Sequence, residues 1–353
     1  MICEGIRKAA SGLNLSSQEA SEVMREIASG TATPAQIAAF LTALHMKGET
    51  AEEIAGLAFE MRRHAFTIKP SISTPIVDTC GTGGDRIKTF NISTAAAFIV
   101  AGAGVAVAKH GNRSVTSRCG SADVLERLGL NLNMTPENVQ KMIEQVGIGF
   151  MFAPCFHPSM KHALTPRREI GIRTVFNLLG PLSNPACAEI QLLGVCDEKL
   201  VFTLAQALSR LGCREAMVVH GIGGLDEVST IGQTVVAHVH GGKVSTSIMR
   251  PEDFGVKRAL PDDVAGGDSD HNARLLFEIL YGKRGCTDAK TEVVLVNSAA
   301  AIFLSGKAED FTDAMETAKE SLASGKAFDK LKALVKASGG NLSRIEEFEK
   351  EID

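Results

Sequence analysis

The chain has 353 residues, 44% hydrophobic and 22% charged, which is enough apolar material for a globular protein of about two domains. The 37 Lys and Arg against 41 Asp and Glu leave a net charge of −4, which argues against broad nonspecific binding of nucleic acid. The longest apolar run, residues 95–108, is too short to span a bilayer, and no apolar signal core follows Met1. We therefore expect a cytoplasmic protein whose eight cysteines, none of them in a CxxC pair, are reduced.

Capping signals in the first part of the chain predict helices only. Ser16 and Thr50 each have a Glu three residues later, which is the capping-box spacing, and Thr33 precedes a proline suited to the first helical position. No strand-like alternation of apolar and polar residues appears here. We predict a small helical domain over residues 1–70 and a linker at 71–75.

After the linker, short apolar runs alternate with helical patterns. The predicted strands cover residues 75–78, 105–108, 148–152, 190–195 and 216–220, with helices at 93–103, 121–128 and 198–211. Nearly continuous apolar strands indicate a mostly parallel sheet covered on both faces. Residues 234–248 alternate around two glycines and predict an antiparallel hairpin. The predicted fold class is α/β, with the small all-helical N-terminal domain and a larger α/β domain over residues 75–353.

Two polar segments follow predicted strands at the edge where ligands bind in open α/β sheets. Residues 78–85 contain glycines that let backbone N–H groups approach an anion, and they lead to residues 91–94 at a helix N-terminus. Residues 109–117 supply two cations, an imidazole, an amide and three hydroxyls. Each segment alone fits a tight turn or a solvated loop, but together they predict a site for a polyphosphate.

Asp226 and Glu227 follow a glycine-rich turn, and the side chains of adjacent residues diverge. They therefore suit a hard cation shared with substrate phosphates, typically magnesium, better than acid–base catalysis. Without the phosphate segments they would be interpreted as a surface turn. In the sequence alone neither acid has an obvious structural partner.

Arginines near residue 167 suit a ligand carboxylate, because a guanidinium binds carboxylates bidentately. For Arg173 we expect an inter-domain salt bridge instead. Residues 177–185 are rich in Pro and Gly and predict a rigid connector. His238 and His240 share one face of the predicted hairpin, and we expect a surface pair there in preference to a metal site.

The content and spacing of these motifs resemble the anthranilate phosphoribosyltransferase family of tryptophan biosynthesis over nearly the whole chain. The motifs are GTGGD at 81–85, NIST at 91–94, KHGN at 109–112, GSAD at 120–123, residues 177–185, and the acid pair. The resemblance implies the fold of the pyrimidine nucleoside phosphorylases, in which a helical domain, here joined by part of residues 155–190, packs on an α/β domain. It also implies a homodimer formed through the helical domains.

The resemblance implies transfer of the phosphoribosyl group of 5-phosphoribosyl 1-diphosphate (PRPP) to the amine of anthranilate, giving N-(5-phosphoribosyl)anthranilate and diphosphate. Two Mg²⁺ ions per monomer are implied, with no nucleic-acid or membrane partner. No dedicated general base stands out among the motifs, and none is needed, since the aromatic amine is neutral at pH 7.

Site roles are carried over by position. The implied PRPP contacts are Gly81, Gly84, Asp85, Thr89, Asn91, Ile92, Ser93, Thr94, Lys109, His110, Gly111, Asn112, Arg113, Ser114, Val115, Thr116, Ser117 and Ser121. The implied anthranilate contacts are Gly81, Asn112 and Arg167, with His110 and His157 nearby. The implied magnesium ligands are Ser93, Asp226 and Glu227. Arg86 departs from the family pattern, which has glycine or another small residue there, and adds a cation near the diphosphate.

Two other functions fit the same fold. A pyrimidine nucleoside phosphorylase would use orthophosphate as the nucleophile, but the KHGN segment and the acid pair favour a diphosphate donor. A nucleic-acid-binding, non-enzymatic paralogue would lack the acidic magnesium pair. Asp226, Glu227 and the net negative charge argue against that alternative.

Overall fold

The structure, a computed structural model, describes residues 1–114 and 119–352. The chain begins with four helices: α1 (Ile2–Ala10), α2 (Ser17–Ala28), α3 (Pro34–Lys47) and α4 (Ala51–Arg63). The hydroxyls of Ser16, Thr33 and Thr50 cap α2, α3 and α4 by accepting the backbone N–H three residues later. These contacts confirm the helix starts predicted from the sequence.

A seven-stranded mixed sheet forms the centre of the larger part. Its strands are β1 (Ile76–Gly81), β2 (Ala106–Gly111), β3 (Ile148–Phe152), β4 (Ile190–Gly194), β5 (Glu215–Gly221), β6 (Thr234–His240) and β7 (Lys243–Met249). The order is β3-β2-β1-β4-β5-β6-β7, with β1 to β5 parallel and β6 and β7 antiparallel. The predicted α/β class and the predicted hairpin are both confirmed.

The strand order determines where a ligand fits. From β1 the chain moves to one side of the sheet for β2 and β3, and then to the other side for β4 and β5. The connections therefore diverge between β1 and β4 and open a crevice at the carboxyl ends of the strands. The polar segments that follow β1, β2 and β5 all meet at this edge.

Helices cover both faces of the sheet. They are α5 (Ile92–Gly102), α6 (Ser121–Arg127), α7 (Pro136–Val146), α8 (Ala153–Phe156), α9 (Lys161–Ile170), α10 (Phe176–Leu182), α11 (Leu200–Arg210), α12 (Ser269–Leu280), α13 (Ala289–Leu304), α14 (Phe311–Ala323), α15 (Lys326–Ala337) and α16 (Ser343–Ile352). Short 3₁₀ helices cover Pro158–Met160, Pro251–Phe254 and Pro261–Val264. None of the helices in the described ranges is long and apolar enough to cross a membrane.

The sheet separates two apolar cores. One joins its first face to α5 and α13, and the other joins its second face to α11, α9, α10 and the N-terminal helices. Helix α9 packs on α3, and α10 packs on α4. The predicted connector at 177–185 is mostly helical, because α10 runs to Leu182 and contains Pro181.

Candidate functional site

Glycines at the strand ends let neighbouring side chains reach the backbone at the sheet edge. A Cβ on Gly81, the last residue of β1, would lie 2.5 Å from Asp226 Oδ2. A Cβ on Gly111, the last residue of β2, would lie 2.2 Å from Ser121 Oγ. Both positions therefore require glycine for close packing.

The two adjacent acids hold two different segments of the site. Asp226 Oδ2 accepts a hydrogen bond from Gly83 N at 2.8 Å, and Glu227 Oε1 accepts one from Ser93 N at 3.0 Å. The expectation that neither acid has a structural partner is therefore wrong, because each carboxylate binds a backbone N–H. The prediction that the two side chains diverge is correct. The pair joins the glycine turn after β1 to the start of α5.

Both acids are buried, and burial disfavours the charged form of a carboxyl group. Burial first, and then the nearby Asp85, raise the pKa of Asp226 to about 6, and burial raises the pKa of Glu227 well above its usual range. The buried Lys109 Nζ donates to Thr79 O at 2.6 Å and to Ser93 Oγ at 3.3 Å, and burial lowers the pKa of this lysine. Lys109 and the Arg173 guanidinium face these acids, and the raised pKa values show that ionised Asp226 and Glu227 would be stabilised by further positive charge.

The donor set fits a magnesium ion that is shared with a phosphate ligand. Among the described residues no group of three or more His, Cys, Asp or Glu side chains converges to hold a metal alone. Magnesium typically takes only one or two protein carboxylates and keeps waters and phosphate oxygens. Ser93, Asp226 and Glu227 are brought together by the contacts above and would supply that incomplete set.

Internal hydrogen bonds fix the loop before α5 and the first residues of the helix. Asp85 Oδ2 accepts hydrogen bonds from Thr89 N at 2.8 Å and Thr89 Oγ1 at 3.1 Å, which shapes the loop before the helix. Asn91 is the N-cap residue of α5, but its side chain makes no capping hydrogen bond. Its Nδ2 instead donates to Cys119 O at 3.3 Å. The side chains of Ile92 and Thr94 are buried, and their backbone N–H groups donate to Phe90 O and Asn91 O, so neither N–H is free for a ligand.

Lys109 and His110 lie inside β2 and not in the loop that the sequence predicts to begin there. His110 Nδ1 lies 3.2 Å from Gly180 O, and its ring centroid is 5.1 Å from that of His157. Burial lowers the pKa of His110 to about 3 and that of His157 to about 4. Within the described ranges, His110 Nε2 and both ring nitrogens of His157 have no hydrogen-bond partner. The two neutral imidazoles therefore present three ring nitrogens without hydrogen-bond partners beside α10.

The segment after β2 is only partly described. Arg113 binds Glu126 through two contacts of 2.7 and 2.8 Å and Asp123 at 3.1 Å, and these acids raise its pKa. The guanidinium expected on PRPP is therefore engaged by acidic side chains. Ser114 N donates to Asp123 Oδ2 at 3.0 Å, and Asn112 is exposed, with its carbonyl 3.4 Å from Ser121 Oγ. The predicted contacts Val115, Thr116 and Ser117 lie outside the described residues.

Arg167 presents a guanidinium on the same side of α10 as the imidazoles. Its Cζ lies 4.9 Å from the centre of the Phe176 ring, and burial lowers its pKa. It forms no ion pair with any residue that the structure describes. Phe176 and Gly180 are one helical turn apart on α10, so Arg167 and His110 contact neighbouring turns of that helix.

Two further side chains, Arg173 and Asp78, have roles that were not predicted from the sequence. The predicted inter-domain salt bridge of Arg173 is wrong, because its Nη2 donates to the backbone carbonyl of Gly83 at 3.1 Å. Asp78 is a fully buried carboxylate below the site that accepts from Gln191 Nε2 at 3.2 Å, and burial raises its pKa. An acid within an apolar strand was the available signal for Asp78. Nothing in the spacing of the sequence indicated the contact of Arg173.

The predicted surface pair on the hairpin is confirmed. His238 Nε2 lies 3.0 Å from Glu215 Oε2, and His240 contacts the other oxygen of the same carboxylate. Glu215 begins β5, so this cluster lies at the opposite end of the strand from the acid pair.

The fold and the site together define a glycosyl-transferring enzyme, and comparisons with known proteins agree. The α/β-domain profile of the glycosyl transferase family matches residues 73–328, and its helical-bundle profile matches residues 4–65. An anthranilate phosphoribosyltransferase of Syntrophobacter fumaroxidans is 52% identical over 341 residues, covering 97% of this chain and 100% of that protein.

Solved structures give the same result. The anthranilate phosphoribosyltransferase of Thermus thermophilus superposes with a TM-score of 0.89 at 41% identity, covering 95% of this chain and 99% of that one. The Saccharomyces cerevisiae enzyme, solved in complex with PRPP and Mg, gives 0.88 at 31% identity, covering 96% and 98%. The chain belongs to the anthranilate phosphoribosyltransferase family, and the resemblance indicated by the motifs is confirmed.

Proposed function

We propose that this enzyme transfers the 5-phosphoribosyl group of PRPP to the amine of anthranilate in tryptophan biosynthesis, releasing diphosphate. The observation that carries the proposal is the buried Asp226–Glu227 pair, which joins the glycine turn to the start of α5 beside the buried Lys109. The yeast relative that binds PRPP and Mg supports it.

The donor occupies the crevice at the carboxyl ends of β1, β2 and β5. In the glycine turn the Gly84 N–H faces the diphosphate, because Gly83 N and Ser93 N already donate to Asp226 and Glu227, and Lys109 adds a positive charge. Ser93, Asp226 and Glu227 would hold magnesium, two ions per monomer by the family pattern. Magnesium neutralises charge on the leaving diphosphate when bound, and such electrostatic stabilisation is typically worth several kcal/mol.

The acceptor lies between the end of β2 and α10, where Gly81, Asn112 and Arg167 are the proposed contacts. Arg167 is suited to the carboxylate of anthranilate, because it has no competing acid within the described residues. His110 and His157 stay neutral at pH 7, so they add no positive charge next to the ribose carbon that becomes cationic as diphosphate leaves. The aromatic amine attacks that carbon without prior deprotonation as the C–O bond to diphosphate breaks, and the nitrogen then loses one proton to solvent.

The loss of anthranilate fluorescence tests the proposal. We expect the signal to fall only when both PRPP and magnesium are present. Phosphorolysis of a pyrimidine nucleoside with orthophosphate, or salt-dependent binding of DNA without turnover, would identify one of the alternative functions of this fold.

We also propose that the protein is a homodimer formed through its helical domain. A groove of about 680 Å³ between α1 and α3 is lined by five alanines together with larger side chains such as Ile6 and Met46, and Met46 is 79% exposed. Small side chains on two adjacent helices let helices of a second copy approach closely. The division into residues 1–70, joined by part of 155–190, and residues 75–353 is part of this proposal, as is a cytoplasmic location suited to a biosynthetic enzyme.

A further inference from the structure

Arg173 makes an unusual contact with the glycine turn of the proposed donor site. It lies in the link between α9 and α10, and its Nη2 donates to Gly83 O at 3.1 Å. A Cβ on Gly84 would lie 1.8 Å from Arg173 Nη1 and 3.0 Å from its Cζ. The guanidinium therefore lies directly against Gly84, whose φ is +83°.

This contact fixes the orientation of one peptide group. The peptide between Gly83 and Gly84 is planar and trans, so its N–H points opposite to its C=O. Holding Gly83 O on Arg173 therefore directs the Gly84 N–H away from the guanidinium. Within the described ranges this N–H donates to no protein acceptor. The preceding peptide is fixed as well, because Gly83 N donates to Asp226.

We propose that Arg173 is a positioning residue of the donor site, which aims the Gly84 N–H at the diphosphate by holding the Gly83 carbonyl. The proposal rests on the proposed placement of the diphosphate at this turn. The contact needs the shape of arginine, because one guanidinium places Nη2 on Gly83 O while its other terminal nitrogen, Nη1, lies against Gly84. A lysine ammonium provides the charge but has only one nitrogen, so it cannot make both contacts.

Steady-state kinetics with PRPP and magnesium at saturating anthranilate test the role. Arg173→Gln should raise the KM for PRPP about tenfold with kcat nearly unchanged, as expected when binding common to the ground and transition states is lost. Arg173→Lys should not restore the affinity. Arg168→Gln is the matched control, because Arg168 is an exposed arginine of α9, and it should leave the KM unchanged.

The two glycines supply a second matched pair. Both have positive φ, but a Cβ on Gly83 meets nothing within 4 Å, whereas one on Gly84 displaces Arg173. Gly84→Ala should therefore raise the KM for PRPP more than Gly83→Ala does. The double variant of Arg173→Gln with Gly84→Ala should be no worse than either single variant.

Melting curves on each variant separate binding from folding. An unchanged KM in a folded Arg173→Gln variant, full rescue by lysine, or additive effects in the double variant would each overturn the role of Arg173. If neither glycine variant changes the KM for PRPP, the placement of the diphosphate at this turn is itself wrong. Should Gly84→Ala not fold, the Gln and Lys variants at Arg173 decide alone.

Discussion

Replacement of Arg167 tests where the acceptor carboxylate binds. Its guanidinium is about half buried over the Phe176 ring and pairs with no acid in the described ranges. Loss of a charge-assisted hydrogen bond costs about 1.5–3 kcal/mol, and the partial exposure places Arg167 at the lower end of this range. We therefore expect Arg167→Ala to raise the KM for anthranilate by about 10- to 30-fold.

The assay follows anthranilate fluorescence at saturating PRPP and magnesium, and then at saturating anthranilate with varied PRPP. The KM for PRPP should stay within about twofold of that of the unmodified protein, because the arginine acts on the acceptor alone. Arg168→Ala is the control and should change neither constant. A rise in the KM for PRPP instead, or an equal effect of Arg168→Ala, would refute the placement of the carboxylate.

The combined change of Asp226→Asn and Glu227→Gln should abolish turnover at ordinary magnesium concentrations while a melting curve still shows a folded protein; near-normal activity would remove the metal role. At pH 5 each buried imidazole should contribute about 2 kcal/mol of destabilisation relative to neutral pH, because the unfolded chain binds protons that neutral His110 and His157 do not, while the raised pKa of Asp226 acts in the opposite direction. Denaturant unfolding of His157→Gln should show a shallower loss on the acid side, and an unchanged slope would contradict this. Met46→Glu should shift the mass measured by light scattering from dimer to monomer, and an unchanged mass would exclude the α1–α3 groove as the interface.

Local signals were sufficient to predict most of the fold. Capping residues mark helix starts by contacts within one turn, so Ser16, Thr33 and Thr50 could be recognised directly. Apolar runs indicated the five parallel strands, and a glycine pair indicated the hairpin. The same kind of signal, Thr135 before a proline, marks α7, which was not predicted from the sequence.

Long-range contacts explain what could not be predicted. Pro181 lies inside α10, because packing of that helix on α4 outweighs the local preference against proline. The partner of Arg173 is a backbone carbonyl 90 residues away. Every residue has a backbone carbonyl, so the amino-acid sequence does not indicate which one an arginine will bind. The acid pair was recognised from its spacing and chemistry, but its bonds to Gly83 N and Ser93 N depend on how three strand ends meet.

Phosphorus NMR of the complete reaction tests the proposed phosphoribosyl transfer most directly. With PRPP, anthranilate and magnesium, we expect one diphosphate released for each anthranilate consumed, together with a single new phosphoribosyl resonance. Without magnesium or without anthranilate, the PRPP signals should persist. Consumption of orthophosphate, or release of diphosphate that is independent of anthranilate, would contradict the proposed transfer.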